Sequence, residues 1–161
     1  MAEGTFTLQI KGLDQLQASF QKAGPQFKTL LTQAMDKSTT LIQNRGRNYL
    51  TDYGVSNTGN LRRSIQKRAS TPTRGVVGVG EKYGYVVEKG RKPGSMPPVA
   101  PIERWAATKL GKPGLGFIIA RSIARKGTKA QPFMESAFTQ SAKEVLGYFS
   151  EATRILLTQI K

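Results

Sequence analysis

Two apolar stripes at helical spacing, one near each end of the chain, constrain the fold more than any other feature. Leu13, Leu16, Phe20, Ala23, Phe27, Leu30 and Ala34 follow alternating steps of three and four residues, the signature of one buried helix face. Gly24-Pro25 interrupts the stripe, and proline tolerates a first helical turn but not an interior. The pattern therefore predicts a short helix, a kink, and a longer helix from about Pro25 to Leu50, with Leu41, Ile42, Tyr49 and Leu50 extending its apolar face. At the other end, Pro132 stands at a first-turn position. Phe133, Ala137, Phe138, Val145 and Leu146 then begin a wide stripe that Phe149, Ala152, Leu156, Leu157 and Ile160 complete. A face that wide has to be covered, and the long first helix is its natural partner.

The segments between and before the stripes read as strands and turns. Thr5-Phe6-Thr7-Leu8-Gln9-Ile10 alternates polar and apolar residues, so Phe6, Leu8 and Ile10 should share a buried strand face. Asp52-Tyr53-Gly54 and Ser56-Asn57-Thr58-Gly59 carry turn chemistry. Leu61 to Ser70 reads as a strand anchored by Leu61 and Ile65, with Arg62 and Arg63 outward, and Thr73-Arg74-Gly75 as a turn. Val76 to Gly80 and Tyr83 to Glu88 complete an antiparallel meander, in which Tyr85 and Val87 share one face and Val86 and Glu88 the other. Lys89 to Pro101 is a basic loop rich in glycine and proline, and long loops of this kind are usually functional or disordered. Ile102 to Leu110, anchored by Trp105, and Phe117 to Lys126 read as short helices separated by Gly111-Lys112-Pro113-Gly114. Arg121, Arg125 and Lys126 lie toward the end of the second, where cations suit the helix dipole. The expected fold is α+β: one domain over residues 1–161, with a small antiparallel sheet packed against a long N-terminal helix and a C-terminal helix.

Chemistry is narrowed by what is missing. The 161 residues include no cysteine and no histidine, which excludes disulfides, thiolate metal sites, cysteine nucleophiles and Ser-His-Asp arrangements. Gly78-Val79-Gly80-Glu81-Lys82-Tyr83-Gly84 has the look of a phosphate-binding loop, but its third glycine is displaced and no helix is expected after it. Glu81 and Glu88 fall on opposite faces of the expected strand, so a salt bridge for each is the simpler reading than a catalytic pair. Ser64 and Ser122 have no base to activate them. The expectation is a non-enzyme with no cofactor and no metal. The start of the chain lacks a basic and an apolar region of the secretory kind, and no apolar run approaches the roughly 20 residues of a membrane span. A soluble protein made in the cytoplasm is expected.

The net charge of +15 is concentrated in the middle. Residues 62–129 carry 16 Lys or Arg against Glu81, Glu88 and Glu103, whereas residues 130–161 carry three of each sign. Such a patch suits a polyanion or an acidic protein surface. No zinc finger, stacking strand or basic heptad accompanies it, so any DNA binding by charge alone would be salt-sensitive and blind to sequence.

Three segments stand in order: Thr58-Gly59-Asn60-Leu61-Arg62-Arg63-Ser64-Ile65, Tyr85-Val86-Val87-Glu88-Lys89-Gly90 and Gly127-Thr128-Lys129-Ala130-Gln131-Pro132-Phe133. Lys11-Gly12-Leu13 precedes them, and Pro101-Ile102-Glu103-Arg104-Trp105 and Ile119-Ala120-Arg121-Ser122-Ile123-Ala124 lie between the last two. As an ordered set over nearly the whole chain, they resemble the HK97 gp10-like family of tailed-phage proteins, which act at the head–tail junction or tail end. The chain departs from that pattern before Thr58, where a proline is often present, and after Gly90, where Arg91-Lys92-Pro93 replaces a threonine.

The resemblance implies a structural virion protein of tail completion or head–tail joining. It would form a six-fold or twelve-fold ring in contact with other neck and tail proteins (connector, tail tube or terminator), and genomic DNA in the channel would be a further contact. Its place would be the virion, after assembly in the host cytoplasm, with no membrane and no small-molecule substrate. Gly59, Leu61, Ile65, Tyr85, Glu88, Gly90, Pro132 and Phe133 are expected to determine the fold. Arg62, Arg63, Lys89, Arg91, Lys92, Arg121, Arg125 and Lys126 are expected to meet partners, with the Lys89–Pro101 loop ordering on docking to clamp a neighbouring subunit. The alternative is a basic DNA-binding protein without sequence preference.

Overall fold

The computed structural model describes residues 5–9, 24–55 and 58–159. The short helix expected after Gly12 and the burial expected of Phe6, Leu8, Ile10 and Ile160 lie outside what is described. The architecture is mixed helix and strand, as expected: a small antiparallel sheet against a long N-terminal and a C-terminal helix.

The first long helix, α1 (Gly24–Asp52), begins beside Pro25, where a missing N–H costs nothing. It buries Phe27, Leu31, Met35, Ile42 and Leu50 along one face. Ser38 and Thr39 sit in the same buried face because their hydroxyls donate to the Ala34 and Met35 carbonyls, at 2.7 and 3.1 Å. The last helix, α6 (Phe133–Gln159), covers it with Phe133, Met134, Ala137, Val145, Phe149 and Leu156. Gly46 faces Met134, Arg45 donates to the Ser141 hydroxyl at 3.0 Å, and Lys37 lies near enough to Glu151 to act on its charge, so the two helices run antiparallel. Leu146 and Leu157, expected in the stripe, are instead more than half exposed, because they lie beyond the arc that α1 can cover.

Three strands form the sheet: β1 (Thr5–Gln9), β2 (Ile65–Ser70) and β3 (Arg74–Val79), in the order β1-β3-β2 with both pairings antiparallel. The turn between β2 and β3 is Thr71–Arg74 rather than Thr73–Gly75. It is closed by the Thr71 N–H on the Arg74 carbonyl at 2.8 Å and the Arg74 N–H on the Thr71 hydroxyl at 3.0 Å. β3 is central, and Gly75 to Val79 are all buried.

Two expected strand segments are helical. Asn60–Ser64 is a single turn, α2, before β2 starts at Ile65. Gly59, at φ 74°, precedes it, and the Arg63 guanidinium folds back to donate to the Thr58 carbonyl at 3.0 Å and the Asn60 side chain at 2.6 Å. That local closure competes successfully with the extended conformation, while Leu61 and Ile65 keep their expected burial. The segment from Tyr83 to Glu88 is not a third meander strand, since Gly84–Lys89 is a short helix, α3. β1 and β2 already occupy both edges of β3, so the expected pairing of this segment with β3 is taken. The buried positions are Gly84 and Glu88, four apart as a helix face requires, and Tyr85 and Val86 are exposed.

The loop after α3 gives way to α4 (Val99–Leu110), which starts before Pro101, and then to α5 (Gly116–Lys126). These two helices pack chiefly on each other, through the small buried residues Ala106, Gly116 and Ala120. Ala106, rather than Trp105, is the buried anchor of α4. Trp105 is half-buried and faces a cavity instead.

Candidate partner-binding surface

The second and third of the ordered segments build one junction. Glu88 is 2 % exposed, and both its oxygens accept from the first turn of α6: the Met134 N–H on Oε2 and the Glu135 N–H on Oε1, each at 2.9 Å. A helix start leaves such N–H groups without partners, and a carboxylate there also faces the positive end of the helix dipole. Neither a strand-face position nor a salt bridge describes this residue; it caps α6 from another element. One residue on, Lys89 pairs with the Glu135 carboxylate at 2.8 Å, which raises the ammonium's affinity for its proton above the usual lysine value. The Gln131 N–H donates to the Val87 carbonyl at 2.8 Å, and Phe133 is fully buried behind it. Pro132, which has no side-chain acceptor of its own, leaves the capping to Glu88.

The same junction closes a long excursion at its base. Arg91 and Thr128 exchange two backbone hydrogen bonds, at 3.1 and 2.8 Å, so residues 92–127 leave and return at one point. Gly90 and Gly127 flank the closure at φ 72° and 75°, with extended ψ, a conformation that essentially only glycine adopts. A Cβ on Gly127 would lie 2.0 Å from the Arg91 carbonyl oxygen, and one on Gly90 2.6 Å from that of Thr128. The arm beyond carries Lys92, Arg104, Lys109, Lys112, Arg121, Arg125 and Lys126 against Glu103 alone. Leu110, Phe117 and Ile118 are exposed on it.

The expected partner-facing cations divide into two groups. Lys92, Arg121, Arg125 and Lys126 are exposed on the arm. Arg91 points back instead and donates to the Ser95 carbonyl and, at 3.0 Å, to its hydroxyl, which pins the loop rather than leaving it to order on docking. Arg63 braces the Thr58–Asn60 turn and Lys89 holds Glu135. Tyr85, expected to determine the fold, is 65 % exposed and belongs to the surface.

Arg62 leads to a feature the sequence did not suggest. A cavity of about 570 Å³ opens where the end of α1, α2, α3 and α4 meet. Leu50, Val55, Leu61, Val87 and Pro101 give it an apolar lining. Arg62 and Arg104 are exposed at its mouth, with Tyr83 and Trp105 beside them. The Tyr83 phenol is pushed above its ordinary pKa, mainly by desolvation and then by the Glu81 charge. Glu103, the carboxylate adjacent to Arg104, turns the other way: it accepts from the Gly114 N–H and, at 2.6 Å, from the Gly116 N–H, and so caps α5. These lining residues come from separated segments, and nothing local in the sequence marks them as a set.

Among the described residues, no group of three or more acidic, histidine or cysteine side chains could hold a metal ion, and no helix is long and apolar enough to cross a membrane. No family model, curated protein or solved structure matches the chain.

Proposed function

We propose that this chain is a structural subunit of a tailed-phage particle, acting in tail completion or head–tail joining as a member of a ring. The observation that carries this reading is the closed basic arm, residues 92–127, which sends exposed apolar side chains and six net positive charges (seven bases, one acid) away from a scaffold that needs neither. Exposed Leu110, Phe117 and Ile118 are costly on a protein that remains alone and are expected on one that is covered by neighbours. The ordered segments that resemble the phage family support it too, because the second and third of them form the junction from which the arm projects.

Cryo-electron microscopy of the particle's neck and tail tip tests the reading. A symmetric ring into which this chain fits, with the arm between adjacent subunits, is the expected result. Particles without the chain would overturn it. In an infectivity assay, Lys92→Glu combined with Arg121→Glu should lower titre with the fold intact. Both side chains are exposed, whereas Arg91 also holds Ser95 and would confuse the outcome.

The uncompensated charge of the arm favours a second reading, a DNA-binding protein without sequence preference. Duplex DNA affinity that falls steeply with salt, in a chain absent from particles, would favour it over the first.

A further inference from the structure

We propose that the cavity at the root of the arm binds an acidic peptide segment carrying one large apolar side chain, contributed by a neighbouring protein. This deepens the joining role and rests on it for the source of the peptide. The cavity, about 570 Å³, falls within the range of roughly 300–1,000 Å³ in which proteins enclose small ligands and anchor residues. Its lining is largely apolar, with aliphatic Leu50, Val55, Leu61 and Val87, aromatic Trp105 and Tyr83, and the Thr58–Asn60 turn on one side. An aromatic or branched side chain entering there would exchange water for apolar contact with Leu50, Leu61, Val87 and Trp105.

The mouth specifies the rest of the occupant. Arg62 and Arg104 are exposed there, and among the described residues neither is in an ion pair. A guanidinium presents a planar fork that matches a carboxylate in two parallel hydrogen bonds. Of the three acids of the basic region, Glu81 acts on Tyr83, and the other two are engaged elsewhere. Glu88 is buried under α6, and Glu103 is held by the Gly114 and Gly116 amides. Two of the basic region's three carboxylates are thus spent on helix starts, which leaves Glu81 alone against Arg62 and Arg104 there. A nucleic-acid strand answers the guanidiniums but not the apolar part of the lining, because a sugar pressed against Leu50, Leu61 and Val87 would lose water without gaining hydrogen bonds there. An acidic peptide with one apolar anchor answers both.

The chain supplies its own reporter, since Trp105 is its only tryptophan and lies in the cavity wall. The purified full chain should be titrated with short capped peptides bearing a single phenylalanine among aspartates and glutamates, following Trp105 emission. Saturable change is expected, lost when alanine replaces the phenylalanine and weakened about tenfold or more when asparagine and glutamine replace the acids. Arg104→Glu and Arg62→Glu should weaken binding by a similar factor, and because both residues are exposed, the far-ultraviolet circular dichroism should not change. Equal or tighter binding of an oligodeoxythymidine with the same arginine dependence would overturn the peptide assignment in favour of nucleic acid. No saturable response to any of these probes would overturn the site. A chain that binds the peptide but is absent from particles would remove the joining role and leave the pocket. A chain seated in a neck ring whose Trp105 ignores every peptide would do the reverse.

Discussion

Glu88 and Met134, 46 residues apart in sequence, are joined by a hydrogen bond of 2.9 Å from the Met134 backbone N–H to the Glu88 carboxylate. With the matching bond from Glu135, it ties α3 to the start of α6 and decides where the last helix begins. The α1–α6 core and the base of the arm both depend on that position.

Replacing Glu88 should therefore cost more than an exposed carboxylate would. Glu88→Ala leaves two helix-start N–H groups without their acceptor in a buried place, and Glu88→Gln turns a donor toward one of them. A loss of about 1–3 kcal/mol is expected for either. At roughly 2–4 °C per kcal/mol for a chain of this size, thermal melts resolve it readily. Denaturant titration should show the midpoint falling with an unchanged slope.

The arm's closure makes a second prediction. Gly127→Ala forces a side chain into a conformation that costs about 1–3 kcal/mol before its Cβ meets the Arg91 carbonyl. Gly111→Ala has open space around the new Cβ and should cost only the left-handed penalty, about 1–2 kcal/mol. Hydrogen exchange at the Arg91 and Thr128 amides should quicken in the first variant and not in the second.

Adjacent leucines on α6 separate core from surface. Leu156 is 1 % exposed and Leu157 is 56 % exposed. Leu156→Ala should lose about 2–5 kcal/mol of stability, and Leu157→Ala no more than about 0.5 kcal/mol. Equal losses from the two would show that Leu157 is covered in solution, which sedimentation would reveal as self-association.

The Lys89–Glu135 pair gives a pH signature. The bond to Glu135, and then its charge, raises the Lys89 pKa above 10.5. The pair's contribution is complete below that ordinary value and is lost as pH climbs through the raised one. Glu135→Gln should bring the lysine's titration, followed by NMR at its side chain, back toward 10.5. Stability at neutral pH should barely move, because the pair is exposed.

The long elements were legible because their periodicity runs over many turns. Phe27, Leu31, Ile42 and Leu50 on one helix, and Phe133, Ala137, Val145, Phe149 and Leu156 on the other, repeat the signal often enough to survive local noise. Asn60–Ser64 and Gly84–Lys89 are one or two turns long, too short to show a helical period, and Tyr85, Val86 and Val87 in the second favour strand. The first is set by Arg63 folding back over Gly59, a local closure that side-chain alternation does not reveal, and the second by Glu88 reaching α6, which is not a local property. One clue to the second was present: Pro132 offers α6 no capping side chain, so an acceptor had to come from elsewhere. Of the candidate surface, the exposed cations of α5 were legible as charge alone, while Arg104, Trp105 and Tyr83 converge with Arg62 only through tertiary packing.

Because Arg91 and Thr128 stand side by side, the scaffold does not need the intervening residues to bring its own ends together. The excursion is in effect a plug-in cassette: it could be exchanged, lengthened or reduced to a short turn at a single splice point, with β3, α3 and α6 left in register. Under the joining role proposed above, a lineage of such proteins could change its neighbour by trading cassettes, without having to rediscover a fold.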